Sequence, residues 1–260
     1  MKRIADVFAR KGTKALIAYV MVGYPNLEAT RKAVTLLAEN GCDIVELGVP
    51  FSDPLADGAT IQNAGHQAIL NGVTPRMCLD MARELSKIVD TPLVLMTYLN
   101  PVMTYGPSEF CTACARSGVS GIIIPDLPPD EASDMDAAAH RNGIDLIYLL
   151  PPTATLARTE LIARKSQGFI YMVSVTGVTG TRTRLPQNLD TSITRLRGLT
   201  NKPLCVGFGI SSPAQARDAA RQADGVIIGS KIIQLMEEDP SLGSLKAFVQ
   251  EVRKSLGTTA

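Results

Sequence analysis

A single-domain (β/α)8 TIM barrel spanning residues 1–260 is the fold this sequence predicts, with an extra N-terminal helix and an extra helix after the second strand. Three observations lead there. Eight short runs rich in Val, Ile and Leu alternate with longer amphipathic stretches from near the start of the chain to near its end. Most of these runs are continuously apolar rather than alternating, the pattern of parallel strands buried on both faces. No Pro/Ser-rich linker or low-complexity segment breaks the alternation, and 260 residues suit one barrel. A doubly wound open sheet shares this pattern, because alternation alone does not show closure.

The elements follow in order. Ile4, Val7 and Phe8 lie on one side of a short opening helix that would close the bottom of the barrel. The first run is Ala15–Gly23; Asn26 then caps a helix through Ala33, Val34 and Leu37 that stops at Gly41. After the second run, Asp43–Pro50, the stretch Thr74–Val89 carries Met77, Met81, Leu85 and Ile88 at helical spacing and is the extra helix before run three. Its methionines read as core filler. The third run is Leu93–Pro101, followed by helix Pro107–Arg116; the fourth is Gly121–Pro125, followed by helix Asp130–Arg141. The fifth, Ile144–Leu150, precedes helix Thr155–Ser166, and these helices end near Gly118, Gly143 and Gly168. Runs six, seven and eight are Phe169–Val175, Leu204–Gly209 and Gly225–Gly229, with Ser212-Pro213 as cap and first-turn proline of the helix after run seven.

Charge excludes some functions. With 26 Lys and Arg against 25 Asp and Glu, the chain has no basic surface to neutralise nucleic-acid phosphates. No apolar run approaches the ~20 residues of a membrane span, and the first ten residues interrupt every apolar pair with charge, so a cytoplasmic protein is expected. Five scattered cysteines do not form a secreted disulfide framework and point to a reducing compartment. Cys111 and Cys114 make a CxxC, but no second CxxC follows, and neither His66 nor His140 stands at ligand spacing, so no metal is expected. His66 in a helix-like stretch reads as packing or capping, and His140 beside Arg141 as a polar face.

In such a barrel the chemistry belongs to the loops after the strands. Run two holds Glu46 inside an apolar strand. A carboxyl there must be paired, hydrogen-bonded or held with a raised pKa, which suits a general acid/base; a Glu bonded to a neighbouring amide is the plainer alternative. The loop beyond adds Asp53, which ordinary turn chemistry explains, and Asp57, placed to set a second carboxylate over the barrel mouth. Runs seven and eight end in Gly207-Phe208-Gly209 and Gly229-Ser230, where barrels bind phosphate through backbone amides. The polar stretch Gly177–Asn188 reads as a flap, or as a plain connection.

The segment Val45-Glu46-Leu47-Gly48-Val49-Pro50-Phe51-Ser52-Asp53-Pro54-Leu55-Ala56-Asp57-Gly58 resembles the signature of the tryptophan synthase alpha chain family. The likeness extends over Thr60-Ile61-Gln62-Asn63-Ala64, Tyr98-Leu99-Asn100-Pro101, Pro125-Asp126-Leu127-Pro128, Ser174–Gly180 and Gly207-Phe208-Gly209-Ile210, in family order and over essentially the full chain. It implies a lyase that cleaves indole-3-glycerol phosphate to indole and D-glyceraldehyde 3-phosphate by a retro-aldol step, the last stage of tryptophan biosynthesis, with no metal or organic cofactor in this chain. By the same resemblance Glu46 protonates the indole C3 carbon and takes the glycerol hydroxyl proton, and Asp57 holds the indole N–H. Gly180, Gly209, Gly229 and Ser230 correspond to the phosphate cradle. Tyr171 lies near the substrate and Glu46, Thr179 orients the loop aspartate, and Tyr19, Tyr98 and Phe208 line the indole pocket. Ala59, Tyr19 and Thr181 depart from the family's frequent proline, phenylalanine and alanine.

The resemblance also implies a partner, a pyridoxal-phosphate-dependent beta chain in an alpha2-beta2 heterotetramer, with Pro54, Leu55 and Pro101 as candidate contacts. The pyridoxal phosphate is expected only in that beta chain. An autonomous lyase releasing free indole is the alternative. A catalytically silent phosphate-binding subunit is disfavoured by the presence of both Glu46 and Asp57.

Overall fold

The computed structural model describes residues 3–10, 12–173, 188–207 and 209–257. Nine parallel strands form one sheet: β1 (Ala15–Met21), β2 (Ile44–Gly48), β3 (Leu93–Met96), β4 (Val119–Ile123), β5 (Asp145–Ile147), β6 (Leu149–Leu150), β7 (Ile170–Val173), β8 (Leu204–Gly207) and β9 (Gly225–Ile228). Their order, β5-β4-β3-β2-β1-β9-β8-β7-β6, runs around a barrel whose seam falls between two strands adjacent in the chain. The eight expected runs are all present, and the fifth is divided at Tyr148. Its first half pairs with β4 and its second with β7. Tyr148 donates its N–H to the Ser166 hydroxyl at 3.1 Å and its phenol to Asp136 at 2.7 Å, so its amide leaves the ladder while its carbonyl still accepts the Tyr171 N–H at 3.1 Å. The expected barrel is thus a barrel, and the open sheet is excluded.

Several helix ends fall where their caps place them. Asn26, Thr74, Thr155 and Ser212 each accept a first-turn amide, of Ala29, Met77, Arg158 and Gln215. Two helices, Ala59–Leu70 and Pro75–Leu85, fill the connection from β2 to β3, so the extra helix is there. The third run, however, is shorter than expected. The strand ends at Met96, and Leu99–Pro101 opens a further helix, Leu99–Tyr105, because the Asp126 carboxylate accepts the Leu99 N–H at 2.8 Å. Proline is tolerated in a first turn, where its missing N–H has no intrahelical partner. The helix expected from Asp130 begins instead at Ser133. A last helix, Gly243–Ser255, follows Ser230–Glu238.

The bottom of the barrel is closed by packing and by one buried ion pair. Ile4 of the helix Ile4–Phe8 is fully buried against Gly121, where a Cβ would come within 2.8 Å of its Cδ1. Phe8 lies 6.0 Å from Phe169, ring centre to ring centre. Arg253, from the last helix, donates to Asp43 at 2.7 Å and to the Lys14 carbonyl at 2.7 Å, while Asp43 also accepts the Leu16 N–H at 2.8 Å. The C-terminal helix is thereby tied to the first two strands. Without Arg253, Asp43 keeps the Leu16 N–H and the Arg10 guanidinium at 3.3 Å, so Arg253→Leu is expected to destabilise the chain by about 1.5–3 kcal/mol in urea unfolding, the cost of hydrogen bonds to a charged group. A loss below about 1 kcal/mol would show the pair to be a surface-like contact.

Candidate active site

Parallel register sets the site. β1 and β2 align Tyr19 with Glu46, and β2 and β3 align Glu46 with Val94. Glu46 is fully buried, and neither carboxyl oxygen has a hydrogen-bond partner among the described residues. Among the described residues no neighbouring amide satisfies it, as the plainer alternative would require. Burial alone pushes the group up to about 8, so it is a neutral acid at neutral pH.

Asp57 reaches the same region from the loop after β2. It lies just before Gly58, the cap of helix Ala59–Leu70, and is 5% exposed. Its N–H donates to the Pro54 carbonyl at 3.0 Å, and its carbonyl accepts from the Gln62 side chain at 2.8 Å, one turn into the helix. Burial raises its carboxyl to about 6, opposed by a hydrogen bond from the Tyr98 hydroxyl. That hydroxyl also accepts the Ala56 N–H at 3.1 Å, and the Tyr98 ring stacks on Phe51 with centres 5.3 Å apart. Tyr98 therefore fixes both ends of the dipeptide that carries the carboxylate. Burial raises Glu46 further than Asp57, which sets the two carboxyls apart in the direction an acid–base pair needs.

Two tyrosines flank the pair. The Tyr19 phenol lies across Gly48, and the Tyr171 phenol across Gly207; a Cβ at either glycine would lie 2.1 Å or 2.5 Å from the hydroxyl oxygen. Each glycine follows, by two residues, the register partner of its tyrosine, Glu46 or Cys205. Gly48→Ala is expected to displace the Tyr19 ring and lower turnover by tenfold or more, with a modest loss of stability of about 1–3 kcal/mol. Unchanged turnover would show that this ring does not shape the site.

The sequence-derived cluster divides in three. Glu46, Asp57, Tyr19, Tyr98 and Tyr171 come together, since Tyr19 is an electrostatic neighbour of the other four and Tyr171 of both carboxyls. Gly229 joins them: a Cβ there would sit 3.5 Å from the Tyr19 Cβ, in open van der Waals contact. Ser230 opens helix Ser230–Glu238, whose cap Gly229 offers no side-chain acceptor, whereas Ser212 caps its own helix. Gly209 is exposed, with φ of +83° and nothing within 4 Å of a Cβ. Thr179, Gly180, Phe208 and most of the expected flap lie outside the described residues.

Phe51, Gln62 and Asp126 were not singled out in the sequence as supports of the site. All three lie inside the quoted motifs, but nothing in their spacing gives them these contacts. His66 and His140 are exposed on helices. Cys111 and Cys114 are fully buried, with burial raising the Cys111 thiol to about 11, and no group of three metal-binding side chains occurs among the described residues. Surface grooves of about 390 and 360 Å3, lined in part by Arg76, Arg83 and Arg116 and by Arg31, Lys32 and Lys246, include no residue of this cluster. The perturbed carboxyls, not cavity size, mark the site.

A (β/α)8 barrel with two buried carboxyl groups of raised pKa, one within a strand and one in the loop beyond it, has the make-up of an enzyme site. The sequence profile of the tryptophan synthase alpha chain matches residues 6–257. The chain is 54% identical over 256 residues to the tryptophan synthase alpha chain of Dehalococcoides mccartyi, covering 98% of this chain and 100% of that one. To that of Geobacter sulfurreducens it is 43% identical over 263 residues, covering 99% and 100%. Its fold matches a structure of Mycobacterium tuberculosis tryptophan synthase with a TM-score of 0.92 at 38% identity, over 99% of each chain. A tryptophan synthase subunit alpha from Legionella pneumophila gives 0.89 at 32% identity, over 98% of each. The chain belongs to the tryptophan synthase alpha chain family, a family of carbon–carbon lyases. Among the described residues no helix is long and apolar enough to cross a membrane.

Proposed function

We propose that Glu46 and Asp57 carry out, in this chain, the reaction of its family: retro-aldol cleavage of indole-3-glycerol phosphate to indole and D-glyceraldehyde 3-phosphate. The observation that carries the assignment is the fully buried, unbonded Glu46 carboxyl beside an Asp57 held by Tyr98. Glu46, a neutral acid, gives its proton to indole C3. The ring nitrogen then bears positive charge, which the Asp57 carboxylate offsets while accepting the indole N–H. The bond from C3 to the glycerol carbon breaks, its electron pair returning to the ring. The glycerol hydroxyl gives its proton to Glu46 as the carbonyl forms, and the acid is restored.

Tyr19, Tyr98 and Phe208 supply flat apolar contact to the indole ring, Tyr171 lies near the substrate and Glu46, and Thr179 orients Asp57. The substrate phosphate rests on backbone amides at Gly180, Gly209, Gly229 and Ser230, the uncapped start of helix Ser230–Glu238 serving as the anion-binding end. The reading uses no cofactor in this chain. The whole chain, 1–260, works as one barrel domain in the cytoplasm, and its partner is a beta chain, in an alpha2-beta2 assembly, to which the indole passes. Exposed apolar side chains on the connections after adjacent strands support a docking surface: Leu55 in the loop after β2, at 91% exposure, with Met103 and Tyr105 on the helix Leu99–Tyr105 after β3.

The test is indole release from indole-3-glycerol phosphate by the purified chain, alone and with an added beta chain. Slow release alone with strong stimulation by the beta chain is expected. Fast release alone would identify an autonomous lyase, and no release under either condition a silent subunit.

A further inference from the structure

Among the described residues the Tyr19 phenol is a buried donor without an adequate acceptor. Tyr19 is 4% exposed, and its hydroxyl contacts the Met21 thioether sulfur at 4.0 Å, a weak acceptor. Buried phenols ordinarily find an oxygen or nitrogen partner. The ring crosses from β1 to β2 and stops over Gly48, two residues beyond Glu46 on the same face of that strand. The hydroxyl thus stands on the mouth side of the glutamic acid. The groups facing it are Asp57, Tyr98, Glu46 and Tyr171, and none of them is a cation.

Glu46 has the complementary deficit. It begins turnover neutral and must bear a full negative charge once its proton has moved to the substrate. Neither oxygen has a partner among the described residues, and an ionised carboxylate left so in a buried site is strongly disfavoured. Tyr171, the other buried phenol beside it, already has a further interaction of its own.

We propose that the Tyr19 hydroxyl donates a hydrogen bond to the Glu46 carboxylate whenever that group ionises, making Tyr19 a positioning residue for the proton transfers. This rests on the reading of Glu46 as the acid–base group. The bond forms by rotation of the glutamate side chain toward the Tyr19 hydroxyl, which sits where a Cβ at Gly48 would be. Tyr19 keeps its proton throughout, because burial and the neighbouring carboxylates hold its ionisation well above the usual range.

The experiment is Tyr19→Phe in the full chain, assayed with a beta chain present, beside a titration of the Glu46 side-chain carbon by NMR in the ligand-free protein. Loss of a donor to the carboxylate raises the Glu46 pKa, so its midpoint moves up by about half a unit or more, and kcat falls about tenfold with KM within about twofold. Fluorotyrosine at position 19, a stronger donor, moves the midpoint down, and it keeps the question decidable where Tyr19→Phe folds poorly. An unmoved midpoint in both variants overturns the proposal, including the case where kcat falls and KM rises, which marks lost packing. The reading of Glu46 itself is judged separately: indole release by Glu46→Gln would remove it, while the NMR titration still reports on the bond.

Discussion

Glu46→Gln is expected to lower kcat for indole release by about 10³-fold or more, with binding of a substrate analogue changed by less than about threefold. General acid–base catalysis contributes roughly 10²–10⁴-fold, and here one group serves both proton transfers, so its loss removes both. Glutamine keeps the shape and the burial but can neither give nor take the proton. The same substitution has a signature in stability. Burial raises the folded-state pKa of Glu46 to about 8 from an ordinary value of 4.5. A raised carboxyl favours the folded state fully only below its unfolded pKa, and that contribution is lost as pH rises through the folded value. Wild type should therefore lose stability relative to Glu46→Gln between about pH 4.5 and pH 8, by an amount on the order of a few kcal/mol. Parallel stability curves for the two proteins across that range, in urea unfolding, would contradict a buried neutral acid.

How much of this was legible beforehand depended on whether the governing interaction was local. Run and helix starts such as Asn26, Thr74 and Ser212 were readable because a cap bonds an amide three residues away. Glu46 was readable as an anomaly, a carboxyl inside an apolar strand, though its lack of any partner required the neighbouring strands to be in place. The end of β3 was not readable: Leu99–Pro101 looked like more strand, and only Asp126, from another loop 27 residues on, turns Leu99 into a helix start. The division of the fifth run at Tyr148 has the same origin, since Ser166 and Asp136 lie 18 and 12 residues away. Asp57 stood out by type and loop position, but its clamp by Tyr98, Phe51 and Gln62 joins two strand-end loops and the start of a helix. Roles in the reaction came from the family resemblance, and spacing alone left Glu46 between an acid/base and a structural carboxyl.

Asp57→Asn is expected to lower kcat by about 10²-fold, with a smaller rise in KM. The asparagine carbonyl can still accept the indole N–H, so much of the ground-state contact survives. What disappears is the negative charge opposite a ring that turns positive only as C3 is protonated, and such a loss falls mainly on the transition state. The pH profile separates this from simple misplacement. In the wild type, activity needs Asp57 ionised and Glu46 protonated, so it should fall below about 6, where burial places Asp57, and above about 8, where it places Glu46. Asp57→Asn should lose the acid limb and keep the alkaline one. Tyr98→Phe should do something different: with the hydrogen bond that favours the carboxylate gone, Asp57 rises further and the acid limb moves to higher pH. An acid limb that persists unmoved in Asp57→Asn would assign it to another group. Turnover within about threefold of wild type would end the case for electrostatic work by this carboxylate.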